Sequence, residues 1–191
     1  MKNGYPKAQG LYDPNQEHEA CGIGMVANIN GKKSHAIVQN AINMLCNLEH
    51  RGGQSSDTST GDGAGILTQI PHRFFEKQCE KENILLPEEG KYGVGMVFLP
   101  KDLEARMNSK EIFESIIEEE GQEFLGWRSV PVNESFVGKV ASKSKPYIKQ
   151  LFIQASEHLS NRMDLERKLY IIRRRIEQVI SNNPIFKDVY I

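Results

Sequence analysis

Apolar residues recur along this chain with two periods, and the switches between them mark out its elements. Ile23, Met25, Ala27 and Ile29 fall on one side of a period-two run, which predicts a half-buried strand. Asn30-Gly31 is a tight-turn signal. Ser34 then stands where an N-cap belongs, and Ile37, Ala41, Met44, Leu45 and Leu48 follow at three-to-four spacing, so a helix is predicted. That helix ends at His50-Arg51-Gly52-Gly53, with glycine after its last turn. Residues 52–65 are rich in Gly, Ser, Thr and Asp and read as a loop, either a flexible surface linker or a segment lining a site. Ile66–Ile70 reads as the next strand.

From Arg73 to about Glu82 the pattern turns helical, bringing Phe74, Phe75 and Cys79 near one another. Pro87 and Gly90 break it. Strands are predicted at Tyr92–Leu99, Glu123–Val132 (with Trp127 buried) and Tyr147–Ala155. Between them lie a helix at Lys101–Glu120, with Ile112, Phe113, Ile116 and Ile117 inward, and a short helix at Ser135–Ser142. The last helix covers about Asp164–Ser181, with a stripe of Leu165, Leu169, Ile172, Ile176 and Val179. Asn182-Asn183-Pro184 stops it. Phe186–Ile191 starts a strand and ends mid-run, which predicts that the domain continues beyond this chain. Strands and helices come in clusters rather than in strict alternation, a pattern compatible with an α+β fold without showing one.

Composition narrows the function classes. The 191 residues are 39% hydrophobic and 26% charged, as in a globular domain. A net charge of -1 offers no case for nucleic acid or an anionic membrane. No apolar run approaches membrane-spanning length and no signal-peptide core opens the chain, so a cytoplasmic location is expected. Three widely spaced cysteines, Cys21, Cys46 and Cys79, argue for a reducing compartment. Without a Cys-x-x-Cys pair or clustered histidines, no metal site is expected. The basic run Arg173-Arg174-Arg175 and the acidic run Glu118-Glu119-Glu120 read as solvated helix faces.

Cys21 carries the distinctive chemistry. Its ordinary reading is a small buried hydrophobe; Cys79 reads as packing of that kind, and Cys46, next to the apolar face of its helix, as a structural or semi-exposed thiol. Cys21, however, stands at the start of the first alternating run, behind a leader without pattern, and Gly22 and Gly24 follow it. Cutting the Ala20–Cys21 bond would put a thiol and a free α-amine on one residue. The amine, with a pKa of about 7.7–8.0, could take the thiol proton near neutral pH. That is nucleophile and base in one residue.

Cys21-Gly22-Ile23-Gly24, Leu48-Glu49-His50-Arg51-Gly52 and Thr60-Gly61-Asp62-Gly63-Ala64-Gly65-Ile66-Leu67 together resemble the opening of the class II glutamine amidotransferase domain of glutamate synthases, large subunit. The resemblance continues through Tyr92-Gly93-Val94-Gly95-Met96, Gly126-Trp127-Arg128 and Pro146-Tyr147-Ile148, and covers the chain from Cys21 onward. The class II amidotransferase that begins purine synthesis is a more distant match. Gly53 and Thr58 depart from the family's commoner alanine and proline.

The resemblance implies an N-terminal-nucleophile hydrolase sandwich of two antiparallel sheets between helical layers, incomplete here. It implies a propeptide at residues 1–20 and the front part of the amidotransferase domain at 21–191. Cys21 is then the nucleophile and Arg51 holds the α-carboxylate of L-glutamine, as its planar fork suits. Without the resemblance Arg51 reads as a helix-end cation. Gly22, His50, Gly52, Asp62 and Gly63 are expected to line the site. No cofactor is expected in this chain. FMN, an iron–sulfur cluster and the 2-oxoglutarate site belong to other domains of such an enzyme, which can also work with a small reductase subunit. The family's oxyanion-hole asparagine and the aspartate for the substrate amine are expected after Ile191, so the chain alone is expected to be inactive. The competing reading is a non-catalytic chain or binding module that keeps the front half of the fold.

Overall fold

Three of the predicted strands form, and they pair with one another. The computed structural model describes residues 9–10, 22–53, 59–159 and 161–191, and of Arg51 the backbone alone. Its regular elements are α1 (His35–Asn47), α2 (His72–Glu80), β1 (Tyr92–Leu99), α3 (Leu103–Glu119), β2 (Glu123–Ser129), α4 (Lys139–Ser144), β3 (Tyr147–Gln154) and α5 (Arg162–Ser181). They fall into two compact units: Met1–Thr68 with Val137–Val140, and Gln69–Phe136 with Ala141–Ile191.

The second unit holds the sheet, antiparallel in the order β1-β3-β2. β1 and β3 pair without a slip from Tyr92 opposite Gln154 to Leu99 opposite Tyr147. Successive side chains point to opposite faces. On one face Val97, Leu99, Leu151 and Ile153 meet Phe113, Ile116 and Ile117 of α3 and Ile172, Ile176 and Ile180 of α5. On the other, Tyr92 and Phe152 meet Phe75 and Cys79 of α2, with Ile84. The Phe75 ring stands edge-on to Phe152, centroids 5.3 Å apart. β2 slips register between Phe124 and Gly126. Gly126 has φ +153, and a Cβ there would lie 2.8 Å from Ile84 Cγ1. Only glycine fits this bulge without strain.

Side chains cap the N-termini of α3 and α5, whereas Ser34 starts α1 without a side-chain cap bond. Asp102 accepts from Ala105 N (2.8 Å) and Asn161 from Asp164 N (3.1 Å). The long helices are also tied to each other. Lys168 Nζ donates to Glu120 Oε2 (2.9 Å), and the Arg175 guanidinium donates to Glu120 Oε1 (2.7 Å) and Glu119 Oε2 (2.6 Å). The end of the acidic run is therefore a clamp on α5 rather than only a solvated face. Its partners' hydrogen bonds hold the Glu120 carboxyl below the usual carboxylate range. Arg173 and Arg174 bond Glu177 on their own helix.

Several expectations shift. Ile180 is buried where Val179 was expected, because Ile172, Ile176 and Ile180 continue one face at four-residue steps. The predicted helix at Ser135–Ser142 divides into a 3-10 turn at Glu134–Phe136 and α4. Phe186–Ile191 forms no strand. Asn183 accepts from Ile185 N (3.0 Å) and starts a 3-10 turn at Pro184–Phe186 instead. The chain then makes a single bridge, Phe98 with Tyr190, by N–H···O bonds of 2.8 and 3.0 Å.

In the first unit α1 forms as predicted, but neither strand does. Residues 22–28 and 66–70 lie in no regular element. Gly22 and Gly24 face α1: a Cβ at 22 would meet Leu48 Cδ2 at 2.9 Å, and one at 24 would meet Met44 Sδ at 2.1 Å. Their neighbours Ile23 and Met25 are bare, 100% and 89% exposed, as is Ile29 at 102%, and in the second segment Leu67 is 102% exposed. Period-two patterning assigns faces, but a strand also needs a neighbour for its ladder. Among the described residues none pairs with these segments. The predicted stripe of α1 is its most covered face, yet no residue of α1 is fully buried. Among the described residues no helix is long and apolar enough to cross a membrane.

Candidate functional site

Of the candidate residues that are described, Gly22, His50 and Gly52 lie in the first unit near the end of α1. Leu48 caps the helix, its N–H donating to Met44 O (3.1 Å) and Leu45 O (3.0 Å), and a 3-10 turn at Glu49–Arg51 follows. The turn closes when Gly52 N donates to Glu49 O (3.0 Å). Gly22, bonded in the chain to Cys21, lies against Leu48 and so beside this turn. Arg51 has its backbone in the turn. Its side chain and the whole of Cys21 lie outside the described residues, as does the leader apart from residues 9–10.

His50 is spoken for. Its Nδ1 lies 2.9 Å from Asn47 O. A carbonyl only accepts, so the ring carries its proton on Nδ1 and donates to the helix end. His50 thus secures the terminus of α1, which also favours a cation near it.

Asp62 gains a role that its sequence neighbours do not suggest. Its Oδ2 accepts from Gly53 N (2.8 Å), while its own N–H donates to Gly53 O (3.1 Å). These two bonds clasp the mouth of the Gly/Ser/Thr loop, of which residues 54–58 lie outside the described residues. Small residues make the clasp possible. A Cβ on Gly53 would lie 2.9 Å from Asp62 Oδ2, and one on Gly61 would lie 3.0 Å from Gly53 O. The segment 52–65 is therefore anchored at its neck, directly after Arg51. Gly63 stands in open space, with nothing within 4 Å of where a Cβ would be.

Thr60 is a residue that sequence reasoning passed over. Among the described residues its Oγ1 is the one buried side-chain polar atom without a hydrogen-bond partner. Such an atom costs about 1–3 kcal/mol. Nothing in the sequence separates Thr60 from the other hydroxyl residues of the loop. A recess lies elsewhere, at the end of α5 around Ile180, Asn183 and Phe186. None of the predicted site residues lines it. No cluster of three or more His, Cys, Asp or Glu suited to a metal ion occurs among the described residues.

The sequence profile described as "Glutamine amidotransferases class-II" matches residues 21–191. The chain belongs to this family. The large chain of NADPH glutamate synthase from Bacillus subtilis is 53% identical over 175 residues, 92% of this chain and 11% of that protein. Ferredoxin-dependent glutamate synthase 2 from Arabidopsis thaliana is 40% identical over 185 residues, 97% of this chain and 11% of that one. NADH glutamate synthase from Schizosaccharomyces pombe is 36% identical over 186 residues, 95% of this chain and 9% of that one. The amidotransferase chain thus spans only about a tenth of the length of these relatives.

Proposed function

We propose that this amidotransferase chain is the front part of the glutamine-hydrolysing domain of a glutamate synthase. The observation that carries the reading is a contrast among its relatives. They are named for three electron donors, NADPH, ferredoxin and NADH, yet all share this segment at 36–53% identity. A segment common to all three serves the step that does not depend on the donor. Release of ammonia from glutamine is such a step. FMN, the iron–sulfur cluster and the 2-oxoglutarate chemistry belong to the remainder of such an enzyme.

The chemistry then runs through Cys21. Residues 1–20 are a propeptide, and their removal frees the Cys21 α-amine. The amine accepts the thiol proton, and the thiolate attacks the side-chain carboxamide carbon of L-glutamine. The amine returns the proton to the leaving nitrogen, so ammonia departs and a γ-glutamyl thioester remains. Water adds to the thioester, glutamate leaves and the thiol is restored. Net, glutamine and water give glutamate and ammonia. Arg51 pairs its fork with the substrate α-carboxylate. Gly22, Gly52 and Gly63 leave room for substrate, His50 fixes the end of α1 and Asp62 holds the loop neck. The bare faces of Ile23, Met25, Ile29 and Leu67 suit a layer of an N-terminal-nucleophile sandwich that receives a second sheet.

Arg51→Lys in a complete enzyme of this family tests the substrate role. The charge stays but the planar fork is lost, so KM for glutamine should rise at least tenfold while synthesis from added ammonia continues. Unchanged dependence on glutamine would return Arg51 to the role of a helix-end cation.

A further inference from the structure

The second unit carries a group of cations that nothing in the amidotransferase chemistry uses. Arg106 and Lys110 stand four residues apart on α3, and Lys149 lies on the central strand β3. All three are half-buried. Arg106 stacks over the Tyr147 ring, 3.9 Å from its centroid, and donates to Pro100 O (3.3 Å) and Lys101 O (3.1 Å). Lys110 Nζ lies over the Trp127 ring at 5.5 Å. Lys149 Nζ donates to Ser129 Oγ at 2.7 Å. Among the described residues none of the three forms an ion pair.

This arrangement is unfavourable in the chain by itself. Like charges at i, i+4 repel by a few tenths of a kcal/mol. Lys149 is pushed below the usual lysine range, first by burial and then by the charge of Lys110, with Arg106 adding to it. Glu82 acts on Lys149 in the opposite sense. Glu114, one turn beyond Lys110 on α3, accepts from Trp127 Nε1 at 2.6 Å. Asp102, Glu104 and Glu111 line a separate recess on α3. The three cations thus have acids near them, Glu82 and Glu114, yet pair with none among the described residues.

We propose that the seam lined by Arg106, Lys110 and Lys149 docks an acidic polypeptide segment carrying successive carboxylates. Half-buried cations lose less hydration on pairing than exposed ones do, and their row along α3 and β3 suits an extended chain rather than a point ion. Nucleic acid fits poorly, because the Tyr147 and Trp127 faces that would stack bases already carry Arg106 and Lys110. The relatives, about nine to eleven times longer than the stretch they share with this chain, have ample polypeptide to supply such a segment. The proposal stands independently of the chemistry assigned to Cys21.

The protein supplies its own reporter, since Trp127 is its single tryptophan. Hexa-L-glutamate titrated into the 191-residue chain should change Trp127 emission saturably, with affinity falling as salt rises. The double variant Lys110→Gln, Lys149→Gln should bind about tenfold more weakly or worse, with its far-ultraviolet circular dichroism unchanged. If that variant does not fold, Lys110→Gln alone decides. Arg173→Gln, in the basic run of α5, should bind as the wild type does. The proposal is overturned by absence of saturable binding, by equal affinity in the Lys110 variants, or by loss of binding in Arg173→Gln. It is also overturned if inorganic phosphate saturates the same signal at lower concentration than the peptide, which would make the seam a free-anion site.

Discussion

The two units carry equally clear apolar patterns, and only one of them turns its patterns into strands. In the second unit Val97, Leu99, Leu151 and Ile153 alternate into a face that α3 and α5 cover, and each strand finds a ladder partner. In the first unit Ile23, Met25 and Ile29 alternate just as regularly and remain bare. Sequence periodicity states which side of a segment is apolar. Cover and ladder, supplied by other segments, decide whether that side is buried and whether the segment is a strand.

The largest effect that sharpens this contrast is in core truncation. Phe113→Ala, at a residue with 0% exposure, should lower unfolding free energy by about 3–5 kcal/mol. Ile23→Ala, at a fully exposed residue, should change it by no more than about 0.5 kcal/mol. Urea denaturation of both variants checks the pair, and equal losses would break the distinction between the units.

Gly126→Ala comes next. The new Cβ meets Ile84 and an unfavourable φ together, so a loss of about 1–3 kcal/mol is expected by the same measurement. Gly22→Ala should do less, because the atom it meets is the far end of the flexible Leu48 side chain.

These positions also show what was legible. Helices α3 and α5 and strands β1, β2 and β3 were readable because each packs its apolar face against a neighbour within the chain, whereas α1 was readable from its period although none of its residues is fully buried. The strands expected at Ile23–Ile29 and Ile66–Ile70 failed because a period says nothing about whether a partner is at hand. The C-terminal strand yielded to Asn183 and Pro184, whose turn chemistry is local and stronger than an apolar run. At the candidate site, Gly22, His50, Arg51 and Gly52 were named from the family resemblance rather than from any period, and the structure sets Gly22 against Leu48, just before the turn that holds His50 and the Arg51 backbone. The Asp62 clasp on Gly53 was not, since it joins residues nine apart through backbone geometry. His50 has a local bond that its place in the motif did not announce, its ring nitrogen meeting Asn47 O at the end of α1.

A smaller and more local effect is expected at the clasp. Asp62→Ala removes the acceptor for Gly53 N–H, a loss of about 1 kcal/mol confined to the loop neck. Limited proteolysis should then cut within residues 54–61 faster than in wild type, while the urea midpoint of the second unit stays put. No change in cleavage rate would show that the loop does not depend on Asp62.

The smallest effect concerns acid. Glu120 has its carboxyl pKa lowered in the fold by hydrogen bonds from Lys168 and then Arg175. A depressed carboxyl contributes stability that is fully present above its unfolded pKa, about 4.3, and is lost as pH falls through the lower folded value. Glu120→Gln should therefore flatten the fall in stability below about pH 4.3 and be less stable than wild type near neutrality. An unchanged acid limb would mean that the clamp between α3 and α5 carries no linkage.

The central claim is that a mature N-terminal Cys21 is the amide-attacking nucleophile, and covalent trapping tests it most directly. A glutamine analogue with an electrophilic ketone in place of the carboxamide is added to the complete enzyme, and the labelled protein is weighed intact and mapped by peptide mass. The account predicts one adduct, on Cys21, in a chain that begins at Cys21, with Cys46 and Cys79 unlabelled and excess glutamine protecting. Labelling at Cys46 or Cys79 instead, or an active enzyme that still carries residues 1–20, would contradict it.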